Sequence, residues 1–585
     1  MMKALTPRLV LAICLFTMYS THVSAQHTTE NSGKISPAVV EKILNTDPFE
    51  FILIMKTQAD LGAASEIHGK EAKGKFVYET LASFAENSQK DLKLQLENDQ
   101  VYFKSFWVTN AILVKGDAIL LNKLAERTDV LKIVANSTIH KVDVVSSIPD
   151  FNRDVTIPWG IDSIHAPAVW ALGYQGQGAV VGGEDTGYEW EHPAIKNQYR
   201  GWDGASVDHN YNWHDAIHAV DWHNDYDNPC GLNLQAPCDD YGHGTHTMGT
   251  MVGKEGDIEI GVAPQAKWIG ERNMERGWGN LASYLESFEW FIAPTDLSNE
   301  NPDPAQAPHV INNSWYCAVE EGCDPTNFSL MEEVVNNVKA SGIVVVASAG
   351  NDGPACNTIM FPPALFENSF TIGAVDFLMD AASFSSRGNT QVNGIELIKP
   401  NVSAPGVDVL SSIPGDQYAY FSGTSMAGPH VAGTVALMIS ANPSLAGEVD
   451  LIENILEETA QPAFTFDGCG DDVSTSLPNN TFGFGIIDAF AAVQKSLLAT
   501  ATSAPVDPSY IRVSISPDLN QVIVQILRSN ETGVFQLYNL MGQKSKDLIL
   551  QPGSNSIHLS SLTGGVYLYR VNSGNKVVSG KLLKQ

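Results

Sequence analysis

The sequence is poor in positive charge. Of its 585 residues, only 35 are Lys or Arg, against 66 Asp or Glu, which gives a formal net charge of -31. Binding to a nucleic-acid backbone requires a cationic surface, so this balance argues against nucleic acid as a partner. The acidic surplus is compatible with calcium, which takes oxygen ligands, and equally with the solubility of an exported protein.

The sequence also lacks an uninterrupted apolar run of about twenty residues, the length that a membrane-spanning helix needs. The apolar stretch at residues 9–18 is shorter, and Lys3 and Arg8 precede it. The small residues VSA follow at positions 23–25. This pattern predicts a signal peptide over residues 1–25 and therefore an exported protein that is released from the membrane.

Cysteine is scarce, and no paired C-x-x-C spacing is present, which argues against a zinc site. One of the seven cysteines, Cys14, lies in the signal peptide. The other six cysteines are an even number, which in an exported chain predicts disulfide bonds. Short loops between the cysteines favour the pairs Cys230–Cys238 and Cys317–Cys323. The spacing alone does not fix the pairing. The remaining two cysteines are Cys356 and Cys469.

After the signal peptide, strand and helix patterns alternate. Residues 49–55 and 131–134 are strand-like, residues 76–96 and 118–124 have helical periodicity, and residues 101–114 contain strand-like apolar runs. The order β-α-β-α-β predicts a small α+β module of the ferredoxin-like type.

From Pro158 to about Leu498, short continuous apolar runs alternate with helical segments. Such runs are typical of strands that are buried on both faces. We therefore expect an α/β fold with a mostly parallel central sheet and helices on both sides. The predicted strands are residues 179–182, 310–312, 343–347 and 370–375, and the predicted helices are residues 331–340 and 428–441.

Alternating apolar residues from position 511 onward predict a small all-β unit, a sandwich. A loose stretch rich in Ala, Thr, Ser and Pro precedes it. The predicted parts are a signal peptide at 1–25, an α+β module at 26–150, an α/β domain at 151–498, a linker at 499–508 and a β-domain at 509–585.

Three short segments supply the residue types that acyl transfer requires. Asp185 ends a strand-like run in VVGGEDTG, His243 stands in a Gly-flanked turn in HGTHTMG, and Ser425 begins a helix in GTSMAGPHVAG. A hydroxyl nucleophile needs an imidazole to take its proton and a carboxylate to orient that imidazole. The start of a helix also offers backbone N–H groups to a developing oxyanion.

Each of these segments is ambiguous alone. Asp-Thr-Gly also occurs in aspartic proteases, but those need a second such carboxylate, and the chain has no second DTG or DSG. The run GTSMA is close to the G-x-S-x-G elbow of hydrolases, but it lacks the last glycine, and that fold places the acid and the His after the Ser. The order Asp, His, Ser is that of subtilisin.

On these three segments the chain resembles the subtilase superfamily, over roughly residues 159–493. The resemblance implies a subtilisin-like serine endopeptidase with Asp185, His243 and Ser425 as its catalytic triad. It implies no cofactor for the chemistry itself. The segment ASAGN matches the one whose Asn completes the oxyanion hole of the family, which implies that role for Asn351.

The segment NSWY matches the strand that, in subtilases, pairs with the substrate and lines the pocket for the residue before the scissile bond. The resemblance gives Ser314, Trp315, Tyr316, Gly350 and Met360 as the substrate-binding residues. Subtilases commonly have a small apolar residue and then glycine at the Trp-Tyr pair, and often glycine at the Met. The bulky groups predict a shallower or reshaped pocket, unless Trp315 packs inward as core.

A long insertion between the Asp and His segments, residues 201–240, is rich in Asp, Asn, His and Trp. Its carboxylates could bind structural calcium, as subtilases often do, or could simply be solvated, because no DxDxDG-type loop fixes ligands. Its histidines fit no zinc spacing. Its carboxylates include Asp203, Asp208, Asp221, Asp225, Asp227 and Asp239, and its histidines are His209, His214, His218 and His223.

The flanking units also resemble known modules. Residues 49–142 are similar to subtilase propeptides, which implies a zymogen that matures by self-cleavage somewhere in residues 141–158. The segment LYNLMGQ and the last part of the chain, from residue 562, resemble the C-terminal sorting domains of type IX secretion. An accessory β-domain that binds carbohydrate or protein is the alternative for this tail.

The sequence therefore predicts a secreted endopeptidase, extracellular or on the cell surface, that acts as a monomer on protein or peptide substrates. Its own propeptide and the secretion machinery are its other predicted partners. Two further functions stay open. One is a non-catalytic binding protein that keeps the subtilase fold, although all three triad residues are present and do not favour it. The other is an esterase that uses the same triad.

Overall fold

The computed structural model describes the chain from residue 33 to residue 584 with gaps. The described residues are 33–45, 48–136, 138–140, 145–147, 156–220, 227–317, 325, 327–392, 394–499, 511–515, 521–526, 532–539, 544–559, 562, 565–573 and 576–584. Two compact units, residues 1–499 and 500–585, divide the chain. Within the described ranges, no helix has both the length and the apolar character that crossing a membrane requires. The predicted signal peptide lies outside these ranges.

The first part of unit one is a four-stranded antiparallel sheet with helices. Its elements are α1 (Pro37–Asn45), β1 (Phe49–Met55), α2 (Lys70–Asn98), β2 (Tyr102–Phe106), β3 (Ala111–Gly116), α3 (Ala118–Ala125) and β4 (Val130–Ala135). The strand order is β2-β3-β1-β4. The predicted order β-α-β-α-β missed one strand, because the turn at residues 107–110 divides the apolar stretch 101–114 into two strands. The observed β-α-β-β-α-β order is the ferredoxin-like one.

A seven-stranded parallel sheet forms the centre of unit one. Its elements, with the segments that lead into it, are β5 (Thr138–His140), β6 (Val145–Ser147), α4 (Trp159–Ser163), α5 (Ala166–Ala171), β7 (Val180–Asp185), β8 (Trp213–Asp215), α6 (His243–Val252), β9 (Lys267–Arg272), β10 (Met274–Glu275), β11 (Trp278–Asn280), α7 (Leu281–Ile292), β12 (Val310–Asn313), α8 (Phe328–Ala340), β13 (Val344–Ser348) and β14 (Phe370–Val375). It continues with β15 (Thr390–Val392), β16 (Ile395–Leu397), β17 (Val402–Pro405), β18 (Val409–Ile413), β19 (Gln417–Ser422), α9 (Thr424–Ala441), α10 (Val449–Thr459) and α11 (Ala489–Leu498). The strand order of the sheet is β17-β14-β13-β12-β7-β9-β8, which confirms the predicted α/β fold.

The central strands are apolar because both faces of the sheet are covered. All five residues of β13, which reads VVVAS, are buried. Helix α9 crosses one face and is buried over almost its whole length. Its small residues, such as Gly428 and Ala432, let it lie close to the strands, and a Cβ at Gly428 would stand 2.7 Å from the Asn312 side chain.

Helices α7 and α8 lie between the central sheet and the N-terminal module. Phe288 of α7 and Val335 of α8 are buried in one apolar core together with Ile52, Phe106 and Leu113 of the module. Burying one such side chain contributes about 1.5–3 kcal/mol. The N-terminal module is therefore packed against the α/β part through a continuous core.

The described residues contain two complete disulfide bonds. The bond Cys230–Cys238 confirms a prediction, and the bond Cys356–Cys469 joins the two cysteines that the short-loop argument left over. Cys317 is also disulfide-bonded. Its predicted partner, Cys323, lies outside the described residues.

Unit two is all-β, as predicted. Its strands are β20 (Ile511–Ile515), β21 (Gln521–Ile526), β22 (Gly533–Asn539), β23 (Lys544–Leu550), β24 (Gly553–His558), β25 (Gly565–Ser573) and β26 (Lys576–Lys584). They form a sheet of order β20-β21-β24 and a second sheet of order β23-β22-β25-β26. Alternate residues such as Val522, Val524, Phe535 and Leu537 supply its apolar core.

Candidate active site

The carboxylate of Asp185 and the imidazole of His243 meet in the interior of unit one. Asp185 is the last residue of β7, and both of its oxygens lie close to His243 Nδ1, at 2.7 and 2.8 Å. Asp185 is 1 % exposed and His243 is fully buried. The predicted turn around His243 was wrong, since His243 is the first residue of helix α6.

The register of the parallel strands brings three functional segments to one edge of the sheet. Asn313, at the end of β12, stands level with Glu184 of β7 and with Ala347 of β13. The residues that follow each strand therefore emerge side by side. Such an edge, at the carboxyl ends of parallel strands, is where α/β sheets bind their ligands.

Ser425 is the second residue of α9, which packs against α6. Its hydroxyl donates to the carbonyl oxygen of Ser314 at 3.3 Å, and the Ser314 hydroxyl donates to the Ser425 carbonyl oxygen at 3.0 Å. Ser425 is 6 % exposed. Because the first turn of a helix has backbone N–H groups without intrahelical acceptors, this position can bind a negatively charged oxygen.

The amide side chain of Asn351 is oriented by Thr424, the neighbour of Ser425. Asn351 Oδ1 accepts hydrogen bonds from the Thr424 backbone N–H at 2.9 Å and from its hydroxyl at 3.0 Å. These bonds fix the oxygen end of the amide and leave the NH₂ end for another acceptor. Gly350 adopts φ +103°, and a Cβ there would stand 2.9 Å from Ser386 Oγ, so the turn before Asn351 requires glycine.

The residues predicted to bind substrate take different environments. The side chain of Trp315 is 2 % exposed and packs on Tyr284, with ring centroids 3.6 Å apart, as in the inward-packing alternative. Tyr316 is partly exposed and stacks on Phe361, with centroids 5.5 Å apart and planes at 13°. Met360 is 48 % exposed. Tyr316 and Met360 thus remain the bulky groups at the surface of the predicted pocket.

His246, the second histidine of HGTH, is a packed residue and not a base. Its ring stacks on Phe421, and its Nε2 lies 3.0 Å from the carbonyl oxygen of Val409 and 3.2 Å from that of Ala419. Burial lowers the pKa of His246 to about 3, so the ring is neutral at physiological pH.

Carboxylates of the acidic insertion have partners within the protein. Asp203 and Asp208 accept hydrogen bonds from nearby backbone N–H groups, and Asp227 pairs with Arg276. No group of three or more His, Cys, Asp or Glu side chains among the described residues could hold a metal ion. Asp221 and Asp225 lie outside those residues, as does His223.

The sequence patterns missed a polar contact between the N-terminal module and α7. Lys104 of β2 forms an ion pair with Glu286, and its Nζ lies 3.5 Å from His218 Nε2. The backbone N–H of Trp107 donates to Glu289 Oε1 at 3.0 Å. Burial raises the pKa of Glu289 to about 8. The sequence signal that could have revealed this contact is the presence of two carboxyl residues, Glu286 and Glu289, on an otherwise apolar helix.

The segment that joins the module to the α/β part pairs with two strands of that part. Strand β5 pairs antiparallel with β11, from Thr138 opposite Asn280 to His140 opposite Trp278. Strand β6 pairs antiparallel with the end of β19, where Val145 stands opposite Ser422, three residues before Ser425. Residues 141–144 lie outside the described residues.

This arrangement agrees with the family comparison. The model of the subtilase family matches residues 176–485. The chain belongs to the subtilase family. Bacillopeptidase F from Bacillus subtilis is 34% identical over 515 residues, which cover 82% of this chain but 33% of that protein. Subtilisin Savinase from Lederbergia lenta is 32% identical over 342 residues, which cover 58% of this subtilase and 99% of that protein.

Two further comparisons concern the fold and the tail. The crystal structure of an epidermin leader peptide processing serine protease from Staphylococcus aureus has a TM-score of 0.55 at 16% sequence identity, and it covers 77% of this subtilase and 99% of that chain. At that identity the likeness supports the fold alone. Residues 516–585 match a secretion system C-terminal sorting domain, which confirms the predicted resemblance of the tail.

Proposed function

We propose that this subtilase is a secreted serine endopeptidase that works through an acyl-enzyme on Ser425 and is made as a zymogen. One observation carries the proposal: the buried Asp185–His243 pair lies beside a helix that begins with Thr424 and Ser425. A nucleophile, a base and a group that orients the base are the parts that acyl transfer needs.

In the proposed reaction, Ser425 Oγ attacks a peptide carbonyl while His243 Nε2 takes its proton. Asp185 holds the proton of the imidazole on Nδ1 and stabilises the imidazolium. The NH₂ group of Asn351 and the backbone N–H of Ser425 donate to the oxyanion. His243 then protonates the leaving amine, and water hydrolyses the acyl-enzyme by the same steps in reverse. Ser314, Tyr316, Gly350 and Met360 would bind the substrate around the scissile bond.

The path of the chain supports the zymogen proposal. Strand β5 pairs with β11, and strand β6 pairs with the end of β19, so Val145–Ser147 lie next to the segment that leads into Ser425. We propose that self-cleavage takes place within residues 141–158. The N-terminal module, which shares a core with α7 and α8, would act as the propeptide.

The proposed domain bounds are a signal peptide at 1–25, a propeptide at 26–150, a catalytic domain at 151–498, a linker at 499–508 and a sorting domain at 509–585. The matches at 176–485 and 516–585 support the last three. The sorting domain also supports export by the type IX system and a contact with its machinery. We propose that the mature enzyme is a monomer.

Lys104 is the residue of the module that we expect to matter most for inhibition. Although burial opposes ionisation, Lys104 and two histidines hold the pKa of Glu286 well below its ordinary value. Because the pKa of this carboxyl group is depressed, the contact contributes its full stability at any pH above the ordinary pKa of Glu. That stability is lost only as the pH falls through the lowered pKa. At neutral pH the ion pair is therefore intact.

Replacing Lys104 by methionine should release the cleaved module roughly tenfold faster, since a hydrogen bond to a charged group contributes about 1.5–3 kcal/mol. The measurement is the lag before full peptidase activity after self-cleavage. Lys115→Met is the matched control, because Lys115 is exposed and pairs with Glu50 inside the module. An equal lag in wild type and Lys104→Met would contradict the expectation.

The proposed function is tested by treating the purified mature protein with a sulfonyl fluoride and mapping the label by mass spectrometry. We expect the label on Ser425, together with loss of casein hydrolysis. Folded, processed protein that takes up no label and leaves casein intact would instead favour the binding-protein function. Hydrolysis of esters but not of casein would favour the esterase.

A further inference from the structure

The carboxylate of Asp239 lies just before the His segment. It is hydrogen-bonded both to the His segment and to the Asp segment. The Asp239 side chain accepts five hydrogen bonds. Three come from the backbone N–H groups of Tyr241, Gly242 and Thr245, at 3.0, 2.7 and 2.9 Å. The other two come from the hydroxyl groups of Thr186 at 2.9 Å and Thr245 at 2.6 Å.

Thr186 extends this network to the catalytic carboxylate. Its backbone N–H donates to Asp185 Oδ1 at 2.8 Å, and its hydroxyl accepts from the Gly244 N–H at 3.0 Å while donating to Asp239. The residue before α6 is Gly242, which has no side chain to cap the helix. The first turn of α6 is therefore bonded to Thr186 and Asp239 instead.

The segment that carries Asp239 has little room to move. The disulfide bond Cys230–Cys238 precedes it directly. The carbonyl oxygen of Cys238 lies so close to Gly187 that a Cβ at this glycine would stand 1.8 Å from it. A rigid support is what a group needs if it is to hold another side chain in a productive geometry.

We propose that Asp239 is a positioning residue for catalysis, which fixes the start of α6, and so the His243 ring, relative to Asp185. The proposal rests on the proposed function, because it assigns the geometry of that same site. Asp239 acts through Thr186 and the backbone of α6 and does not touch the substrate. A displacement of about 1 Å in a catalytic group can cost about 10²-fold in rate.

The test uses Asp239→Asn in the processed full enzyme. The amide keeps one oxygen but turns an NH₂ group towards the N–H and hydroxyl donors of Thr245, so the helix start must shift. We expect kcat per active site to fall about 10- to 100-fold, with KM within about twofold of wild type. The rate at which a sulfonyl fluoride labels Ser425 should fall in parallel. Active sites are counted from the final extent of labelling.

Asp203→Asn is the matched control, since Asp203 also accepts backbone N–H bonds in the same insertion, but from Ala205 and Ser206, which lie outside the catalytic segments. Thr186→Val should lower kcat as Asp239→Asn does, whereas Thr186→Ser, which keeps the hydroxyl, should stay within about threefold of wild type. The double variant Thr186→Val/Asp239→Asn should be little worse than either single one, because both break one connection.

An Asp239→Asn enzyme with wild-type kcat per labelled site would overturn the proposal. A loss confined to KM or to the folded fraction would overturn it too, because Asp239 would then be a structural residue only. A wild-type protein that is not labelled at Ser425 would overturn the proposed function itself, and the two failures are thus distinguished.

Discussion

Ser425→Ala is expected to abolish peptide hydrolysis and to leave the chain uncut within residues 141–158. Without the hydroxyl no acyl-enzyme can form, and the loss of such a nucleophile lowers kcat by about 10⁶-fold. The substitution removes one atom whose hydrogen bond goes to the Ser314 carbonyl oxygen, so the fold should be retained. The measurements are a casein assay and the intact mass and N-terminus of the purified chain.

Ser440→Ala is the control for this experiment. Ser440 lies on the same helix as the nucleophile, and its hydroxyl donates a hydrogen bond to Gln177 Oε1 instead. We expect that variant to be processed and active. In wild type, the new N-terminus should fall within residues 141–158. A Ser425→Ala chain that still trims itself at that place would show that the cut does not depend on this serine.

The residues of the candidate site could be read from the sequence because each stands in a short local motif. Asp185 ends the buried strand β7, Asn351 follows the buried strand β13, and Ser425 begins the buried helix α9. In the structure Asp185 contacts His243, and Asn351 contacts the neighbour of Ser425. Their catalytic roles stay predictions.

The start of α6 could not be predicted in the same way. His243 has a glycine on each side, which is typical of a turn, and glycine is unfavourable within a helix. The helix forms because Asp239 and Thr186, which belong to other segments, bind its first N–H groups. Thr186 lies far from His243 in the sequence, so a pattern around His243 does not contain this partner.

Contacts between distant segments could not be predicted from the sequence either. The ion pair of Lys104 with Glu286 and the bond Cys356–Cys469 depend on the fold, and six cysteines allow 15 pairings. The direction of the Trp315 side chain is set by Tyr284 on α7. The ion pair, the disulfide bond and the direction of the Trp315 side chain all depend on how the strands and helices pack against one another.

Asp185→Asn should lower kcat about 10⁴-fold, or roughly 5.5 kcal/mol of transition-state stabilisation, with little change in fold. The fold should persist because the amide oxygen can still accept the Thr186 N–H that now donates to Asp185 Oδ1. The chemistry fails because the amide turns an NH₂ group towards His243 Nδ1, which must then accept. The imidazole proton moves to Nε2, where the ring can no longer take the proton of Ser425.

The measurement compares kcat, KM and thermal unfolding of Asp185→Asn with those of wild type. Because the defect lies in the tautomer of His243 and not in substrate contacts, KM should change little and the unfolding temperature should stay close to wild type. Labelling of Ser425 by a sulfonyl fluoride should slow as strongly as turnover. Full turnover in this variant would mean that His243 does not depend on Asp185 for its orientation, and the triad assignment would then be wrong.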